Sequence, residues 1–206
     1  MKNLPTVDKL IESFTLLPGV GKKTAERYTF FLINQKNKNR ILYLSKHLKE
    51  IVNNIKSCNI CGYITEKNIC NFCCDSKRDH STIMIVADNR DVYCFEKINN
   101  YNGLYHVLGG LIDFSRFIKP ENLNLNSLKF RLKKIKEIII ATNSTWEGEI
   151  TATYSKNFLK KYLKNEKIKI TKLAYGIPIG LDFNYLDEKT LCNAINNRNN
   201  FEGESK

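Results

Sequence analysis

Residues 138–149 read IIIATNSTWEGE, an apolar run that passes into a polar turn and then into two carboxylates. Four consecutive apolar residues followed by turn-forming residues are typical of a strand that is buried in a parallel sheet. In an α/β domain, polar side chains directly after such a strand are a common position for a ligand or a catalytic metal ion. This stretch therefore predicts an α/β domain, and its chemistry must decide whether that domain is an enzyme.

Two further stretches have a strand-like pattern. Residues 83–87 read IMIVA, a second apolar run, and residues 168–174 alternate between apolar and polar side chains. Helical patterns at 127–134 and 151–163 separate the three stretches. Strands that alternate with helices predict βαβ units around a mainly parallel sheet.

The remaining parts of the chain are predicted to be helical. Apolar residues recur at helical spacing over 7–14, 25–32 and 41–55, and residues 17–21 break the pattern between the first two helices. Near the other end, residues 187–195 predict a capped helix that begins with an aspartate. The last few residues are expected to form a frayed tail.

Four of the seven cysteines form two CxxC pairs, which are Cys58 with Cys61 and Cys70 with Cys73. Two residues between the thiolates let both sulfurs reach one ion, and two such pairs complete a tetrahedral zinc site. Because protein fills all four positions, we expect one structural zinc ion rather than a catalytic one. A redox or disulfide role is the alternative.

The other three cysteines have less specific surroundings. Cys74 is adjacent to Cys73 and could replace it as a ligand, although the CxxC spacing favours Cys73. Cys94 and Cys192 lie in apolar patterns, so we expect both to be small core residues.

Residues 17–25 read LPGVGKKTA and match the helix-hairpin-helix pattern, in which two glycines flank an apolar residue between helices. The glycines permit a tight turn and a close approach of the backbone to a ligand. The amides of residues 19–23 are expected to point outward at the positive end of the second helix, where a phosphate can bind. Lys23 and Arg27 share one face of that helix, so we expect sequence-nonspecific, salt-dependent DNA binding. The predicted DNA-binding residues are Gly19, Val20, Gly21, Lys22, Lys23 and Arg27. A hairpin with only a structural role is the alternative.

The charge of the chain favours a polyanionic partner. The formal net charge is +12, and more than half of the positive excess lies within residues 1–57. Nucleic acid or an acidic membrane surface would suit this charge, while a compositional bias toward Lys and Asn is the alternative. No apolar run approaches the roughly 18 residues of a membrane span, and the N-terminus lacks the apolar core of a signal peptide. We therefore expect a cytoplasmic protein that does not enter a membrane.

The whole chain resembles the bacterial RecR family of recombination mediators. The order of hairpin, four-cysteine finger and α/β domain carries this resemblance, together with the strings DSKRD at 75–79, YNGLYHVLGG at 101–110, ATNSTWEGEITA at 141–152 and AYGIPIG at 174–180. The resemblance implies a multidomain α+β fold. A helix-hairpin-helix region is expected over 1–56 and a zinc finger over 57–80. A Toprim domain with a mainly parallel sheet is expected over 81–175, and a C-terminal helical segment for oligomerisation with a tail over 176–206. Phe117 stands where this family commonly has glycine.

The resemblance also bears on catalysis. Catalytic Toprim domains hold magnesium with a glutamate after the first strand and an Asp-x-Asp pair after a later strand. Here Asp88 follows the first strand, and Asn143 and Thr145 stand where the two aspartates would be needed. Neutral oxygens do not supply the charge that offsets the dehydration of a hard divalent cation, so we expect no catalytic activity. Glu147 and Glu149 could hold a weak ion with Asp88, or could meet a basic partner. The predicted partner-binding residues are Asp88, Asn143, Glu147 and Glu149.

The function that the resemblance implies is that of a non-enzymatic mediator in DNA repair. Such a protein binds single- and double-stranded DNA without sequence preference, and acts with RecO or RecF to load RecA onto single strands coated by single-strand binding protein. Family members form homodimers that close into homotetrameric rings, in which several weak hairpin contacts gain avidity. The alternatives are a magnesium-dependent nuclease, primase or topoisomerase, and a zinc-stapled interaction protein that does not bind DNA. His106, which has no catalytic partner in sequence, is expected to be a hydrogen-bonded structural residue.

Overall fold

The computed structural model describes residues 4–163 and 168–198 of the chain. These residues form two compact units, which divide between Ile55 and Lys56. Residues 199–206, which include the frayed tail predicted for the last few residues, lie outside the described residues. Within the described part of the chain, no helix is both long enough and apolar enough to cross a membrane.

The N-terminal unit is helical, as predicted. It consists of α1 (Pro5–Thr15), α2 (Lys22–Ile33), a 3-10 turn (Gln35–Asn37) and α3 (Lys38–Asn54). Pro5 occupies the first turn of α1, where a backbone N–H has no helical partner and a fixed φ is already helical. Ile11 and Ala25 are buried between α1 and α2, and the rings of Phe14 and Tyr28 meet edge to face at 5.8 Å. By contrast, α3 buries none of its residues, and its apolar side remains open.

The second unit begins with the four-cysteine segment. A two-stranded antiparallel ribbon and one helical turn frame the cysteines, and they are β1 (Lys56–Ser57), β2 (Ile64–Thr65) and α4 (Asn71–Cys74). Gly62 lies in the left-handed region at φ 76°, and a side chain there would lie 2.7 Å from the Val107 carbonyl oxygen. A glycine at this position therefore lets the cysteine segment pack directly on the rest of the unit.

A four-stranded parallel sheet forms the centre of the second unit, which confirms the predicted βαβ architecture. Its strands are β3 (Asp79–Val86), β4 (Gly103–Val107), β5 (Glu137–Ala141) and β6 (Lys169–Lys172), in the spatial order β4-β3-β5-β6. The helices of this unit are α5 (Asn89–Ile98), α6 (Trp146–Tyr162) and α7 (Glu188–Asn196). The chain passes from β3 to β4 on one side of β3, and later enters β5 on the other side. The carboxyl ends of β3 and β5 therefore form a topological switch point.

Alternation along the central strand builds two apolar layers. Ile83 and Ile85 point into a layer that includes Leu159 of α6, while Met84 and Val86 point into a layer that includes Val92 of α5. Both faces of the strand are therefore covered. This explains why β3 and β5 read as continuous apolar runs in the sequence.

Two predictions about this unit are wrong. The helical pattern at 127–134 forms only a 3-10 turn (Leu128–Arg131), because Leu128, Leu132 and Ile135 reach the core from an irregular backbone that turns left-handed at Lys134, with φ 70°. Cys94 and Cys192 are exposed rather than buried. Cys94 is two residues from the buried Val92, and residues two apart lie on different sides of a helix.

Two local expectations are met. Asp187 accepts a hydrogen bond of 2.9 Å from the amide of Thr190, which confirms the predicted cap of α7. Phe117 has φ 58°, in the left-handed region that favours the glycine expected there. Its ring is 85% exposed.

Candidate functional site

The four predicted cysteine ligands meet at one point. The sulfurs of Cys58, Cys61, Cys70 and Cys73 all lie within 4.8 Å of one another, and those of Cys61 and Cys70 are 3.4 Å apart. A tetrahedral ion with metal–sulfur bonds of about 2.3 Å would separate its ligands by roughly 3.8 Å. The cluster is therefore the right size for a single metal ion. Cys74 is exposed, and the structure includes Cys73 rather than Cys74 in the group.

The surroundings of the cluster favour a thiolate at one of its cysteines, Cys70. The amide of Cys70 donates a hydrogen bond of 3.3 Å to the Cys58 sulfur. The hydrogen bond with Cys70 is the largest factor that raises the pKa of Cys61, and the same contact lowers the pKa of Cys70 to about 2. A thiolate at Cys70 is the form that binds a metal ion.

Aromatic packing holds the cysteine segment in place. The Phe72 ring meets Tyr63 at 5.1 Å and Tyr105 at 5.5 Å, both edge to face. The guanidinium of Arg78 lies 4.6 Å from the Phe72 ring centre and pairs with Glu96. These contacts attach the segment to the sheet, so the four-cysteine cluster is part of the second unit rather than a separate lobe.

The glycine hairpin of the N-terminal unit has the expected shape, with one difference. Gly19 has φ 79°, a conformation that side chains rarely adopt. The amide of Val20, expected to point outward, instead donates a hydrogen bond of 3.1 Å to the Leu17 carbonyl oxygen. The turn therefore uses one of the predicted phosphate donors for its own closure, and the Val20 side chain is only half-buried.

The N-terminus of α2 is basic and has no side-chain cap. Gly21 is the N-cap residue, no side chain accepts a hydrogen bond from the first turn, and that turn has no acidic residue. Lys22, Lys23 and Arg27 are exposed around it. Uncapped amides at the positive end of a helix, together with three cations, form a surface that suits an anionic group.

A cleft of about 300 Å³ lies at the carboxyl end of the sheet, beside the switch point. Asn143, Ser144, Lys172 and Tyr175 line it, together with residues of α5. This is the location that the IIIATNSTWEGE stretch predicts for a ligand or metal site.

Asp88 does not point a free carboxylate into this cleft. It is the N-cap residue of α5 and accepts a hydrogen bond of 2.9 Å from the amide of Arg90. Asp91 accepts one of 2.8 Å from the amide of Asp88, which completes a capping box. The hydrogen bond from Arg90 is the main reason why the pKa of Asp88 is lowered.

The turn after β5 serves the start of α6. Thr145 is the N-cap residue and accepts a hydrogen bond of 3.2 Å from the amide of Gly148. A side chain on Gly148 would come within 1.8 Å of the Asn143 carbonyl oxygen, so only glycine permits this close approach. Asn143 itself is exposed.

The two glutamates of the stretch have different environments. Both carboxylate oxygens of Glu149 lie 2.7 Å from the Lys172 ammonium, and the Tyr175 hydroxyl donates to the same carboxylate. Glu147 has no hydrogen bond or ion pair to its side chain among the described residues. Sequence reasoning missed Lys172, because only the parallel pairing of β6 with β5 brings it to this edge. The strand-end position of Lys172 in an alternating stretch is the one signal that could have indicated it.

His106 is a structural residue, as expected. It is fully buried, with its Nε2 atom 2.6 Å from the Asn124 carbonyl oxygen and its Nδ1 atom 3.1 Å from Arg131 Nη1. Burial is the main cause that lowers the pKa of His106 to about 4, and the charge of Arg131 adds to it. The ring is therefore neutral, with Nε2 donating and Nδ1 accepting.

Comparison with known proteins gives consistent matches along the chain. A model described as "RecR, helix-hairpin-helix" matches residues 7–52, and a Toprim domain model matches residues 81–174. A recombination protein RecR from Phytoplasma mali (strain AT) is 91% identical over 206 residues, which is the full length of both chains. RecR from Streptococcus mutans is 45% identical over 93% of this chain and 96% of its own, and RecR from Limosilactobacillus reuteri (strain DSM 20016) is 44% identical over 92% and 94%.

Proposed function

The chain belongs to the RecR family of recombination proteins, and we propose from this that it is a DNA-binding mediator in DNA repair. In this role it acts with RecO or RecF to promote the loading of RecA onto single-stranded DNA that single-strand binding protein covers. The observation that carries the DNA-binding part is the basic, uncapped N-terminus of α2 beside the glycine hairpin.

Gly21 supports a role for this terminus in binding. Its backbone at φ −78° and ψ 167° is open to any residue, and nothing lies within 4 Å of where a side chain would be. The fold of the unit therefore does not require a glycine there. Close approach of a phosphate to the backbone would require one, because a side chain would stand in its way. Lys23 and Arg27, one turn apart and exposed, supply the charge.

One structural zinc ion is the proposed cofactor. A set of four cysteine sulfurs, three of them on buried residues, is the ligand set that zinc prefers in structural sites, and no ligand position is left for substrate. Cys58, Cys61, Cys70 and Cys73 would hold the ion. Its contribution is folding free energy for a segment with few apolar residues of its own.

The proposed role is not catalytic. The Asp88 carboxylate is engaged in capping a helix, and Asn143 is neutral, so neither offers a free anionic oxygen of the kind that magnesium requires. The ammonium of Lys172 pairs with Glu149, so this carboxylate is already occupied by a cation of the protein itself. These features support a partner-binding role for this edge of the sheet, and we propose that Glu147 in the first turn of α6, whose side chain has no partner among the described residues, meets a basic surface such as that of RecO.

Self-association into a homodimer or a homotetrameric ring is also proposed. The N-terminal unit has an open apolar groove of about 680 Å³, where Leu48 is 56% and Val52 is 80% exposed. Exposed apolar surface of this size favours a protein interface. In the second unit, Ile179 and Tyr185 of the predicted C-terminal oligomerisation segment are also strongly exposed.

A binding titration tests the proposal. Full-length protein is titrated against labelled single-stranded, duplex and gapped DNA over a range of salt concentrations, with and without RecO. We expect binding that weakens steeply with salt, and we expect the double variant Lys23→Ala with Arg27→Ala to weaken it for every DNA sequence. The variant Lys38→Ala with Arg40→Ala removes the same charge from α3 as a control.

Three results would contradict the proposal. Equal binding by the hairpin variant and its control would exclude the hairpin as the main site. Oligomers without salt-sensitive DNA binding would favour an interaction protein that does not touch DNA. Magnesium-dependent cleavage, priming or relaxation that is lost in Glu147→Gln would make the protein an enzyme.

A further inference from the structure

A basic segment of the second unit has no role in the function proposed so far. Residues 129–136, between β4 and β5, read KFRLKKIK. Leu132 and Ile135 are 7% exposed and anchor the segment in the core, whereas the ring of Phe130 is 78% exposed. Lys133, Lys134 and Lys136, which follow in the same segment, are exposed. The segment therefore has an inner side, where Arg131 also bonds to the buried His106, and an outer side of three lysines and one aromatic ring.

Backbone hydrogen bonds fix this segment at the amino end of the sheet. The amide of Lys136 donates to the Ser81 carbonyl oxygen at 2.8 Å, and the amide of Lys169 donates to the Lys136 carbonyl oxygen at 2.9 Å. These contacts place Lys136 where β3, β5 and β6 begin. Because the strands are parallel, this edge is opposite the cleft at their carboxyl ends.

The positive charge of the segment is largely uncompensated. Among the described residues, none of the three exposed lysines forms an ion pair or a side-chain hydrogen bond. The charge of Lys136 acts on Asp79, but the Asp79 carboxylate already accepts hydrogen bonds from the Ser81 and Thr82 hydroxyls. Glu137 accepts a hydrogen bond from Thr171 and lies 3.8 Å from Lys169. Asp79 and Glu137 therefore offset only part of the positive charge of the segment, which carries five cations in eight residues.

The exposed ring identifies the kind of partner. The ammonium of Lys129 lies 5.0 Å from the centre of the Phe130 ring, so one cation borders the aromatic surface, and the three exposed lysines lie within six residues of it in the chain. Cations beside an exposed ring suit single-stranded DNA, whose phosphates bind the cations and whose unpaired bases stack on the ring. An anionic membrane surface would favour a broad apolar helical face. Here the backbone is a 3-10 turn with one outward ring.

We propose that Phe130, Lys133, Lys134 and Lys136 form a second site for single-stranded DNA. The three lysines bind consecutive phosphates, and Phe130 stacks on a base. This inference rests on the proposed function in taking DNA as the ligand, but its residues belong to a different unit from the hairpin. Two contacts in one chain bind the same strand more tightly than either alone when the strand reaches both.

The test compares two triple variants of the full-length protein. The patch variant carries Lys133→Gln, Lys134→Gln and Lys136→Gln, which remove the three lysine charges of the proposed site. The α6 variant carries Lys156→Gln, Lys160→Gln and Lys161→Gln, which remove the same charge from exposed positions of α6. Binding to labelled oligodeoxythymidine and to duplex DNA is measured against salt concentration. Thermal unfolding verifies that each variant is folded.

We expect the patch variant to reduce the slope of log affinity against log salt for single strands by about 2, since each phosphate contact contributes about 0.7. The α6 variant is expected to keep the parental slope. Phe130→Leu should weaken binding to single strands by about fivefold or more and duplex binding by less than about twofold, because duplex bases are already stacked.

Failure of this inference differs from failure of the proposed function. If the parent shows no salt-sensitive DNA binding, both are wrong. A second outcome is that the parent binds DNA and the variant Lys23→Ala with Arg27→Ala loses affinity, while the patch and α6 variants have equal slopes of log affinity against log salt. In that case only the proposal of a second site is wrong. Binding to phosphatidylglycerol vesicles that the patch variant loses, with unchanged DNA binding, would replace DNA by a lipid surface.

Discussion

The backbone amide of Val107 donates a hydrogen bond of 2.7 Å to the carbonyl oxygen of Cys61. Cys61 belongs to the four-cysteine cluster, and Val107 is the last residue of β4, the strand at the edge of the sheet. The bond therefore satisfies an edge-strand amide with a carbonyl from the cysteine segment. Because of this bond, we expect the state of the cluster to affect the order of the sheet edge as well as that of the finger.

Removal of the metal is expected to destabilise the second unit beyond the cysteine segment. A chelator should lower the unfolding temperature, and the Val107 amide should exchange its hydrogen faster, because its acceptor is held only when the cluster is intact. Metal content and hydrogen exchange measure these effects. Cys73→Ser should reproduce them, while Cys74→Ser should resemble the parent. Normal metal content in Cys73→Ser, with its loss in Cys74→Ser, would reverse the ligand assignment.

Gly148→Ala is expected to lower the free energy of unfolding by about 3 kcal/mol. The new side chain would lie 1.8 Å from the Asn143 carbonyl oxygen, so the turn between β5 and α6 would have to open. Urea denaturation measures the change. Gly176→Ala is the control, since nothing lies within 4 Å of a side chain there. Equal stability of the two variants would mean that the turn relaxes without cost.

His106 is expected to make stability depend on pH. Its pKa is about 4 in the folded protein and 6.5 as an ordinary histidine, so the unfolded chain binds the proton more readily. The stabilisation is complete above pH 6.5 and is lost as pH falls toward 4, by about 3 kcal/mol. The difference in unfolding free energy between the parent and His106→Gln should follow this course. A difference that stays constant over this range would show that the ring does not titrate as described.

The two hairpin glycines are expected to respond differently to substitution. Gly19→Ala should destabilise the protein by about 1 kcal/mol, because φ 79° is unfavourable for a side chain. Gly21→Ala should leave stability nearly unchanged, yet weaken DNA binding by blocking the approach of a phosphate to the backbone. Urea denaturation and DNA titration of both variants separate these effects. Parental DNA affinity in Gly21→Ala would argue against backbone contact at this position.

Glu147→Gln and Glu149→Gln are expected to separate partner binding from stability. Glu149→Gln should cost about 1 kcal/mol of stability, because it removes the ion pair with Lys172. Glu147→Gln should not change stability, but should weaken a complex with RecO. Denaturation and an affinity measurement with purified RecO check both. If Glu147→Gln binds RecO as tightly as the parent, the unpaired carboxylate is not part of the contact.

The sequence by itself predicted the features that depend on neighbouring residues. Helical spacing, the two CxxC pairs and the cap at Asp187 are short-range patterns, and the structure has each of them. The pattern at 127–134 was misleading, because core contacts at helical spacing can also be made by an irregular backbone. Cys94 was misjudged for a related reason, since an apolar neighbourhood in sequence does not determine which side of a helix a residue occupies.

Only the tertiary structure decided the contacts between distant residues. Lys172 meets Glu149 because β6 pairs in parallel with β5, and Val107 reaches Cys61 because the cysteine segment packs on the sheet edge. The lysines at 133–136 lie at the amino end of the sheet because Lys136 bonds to Ser81 and Lys169. Such contacts depend on strand order and register, which arise from the packing of the whole unit rather than from local preference.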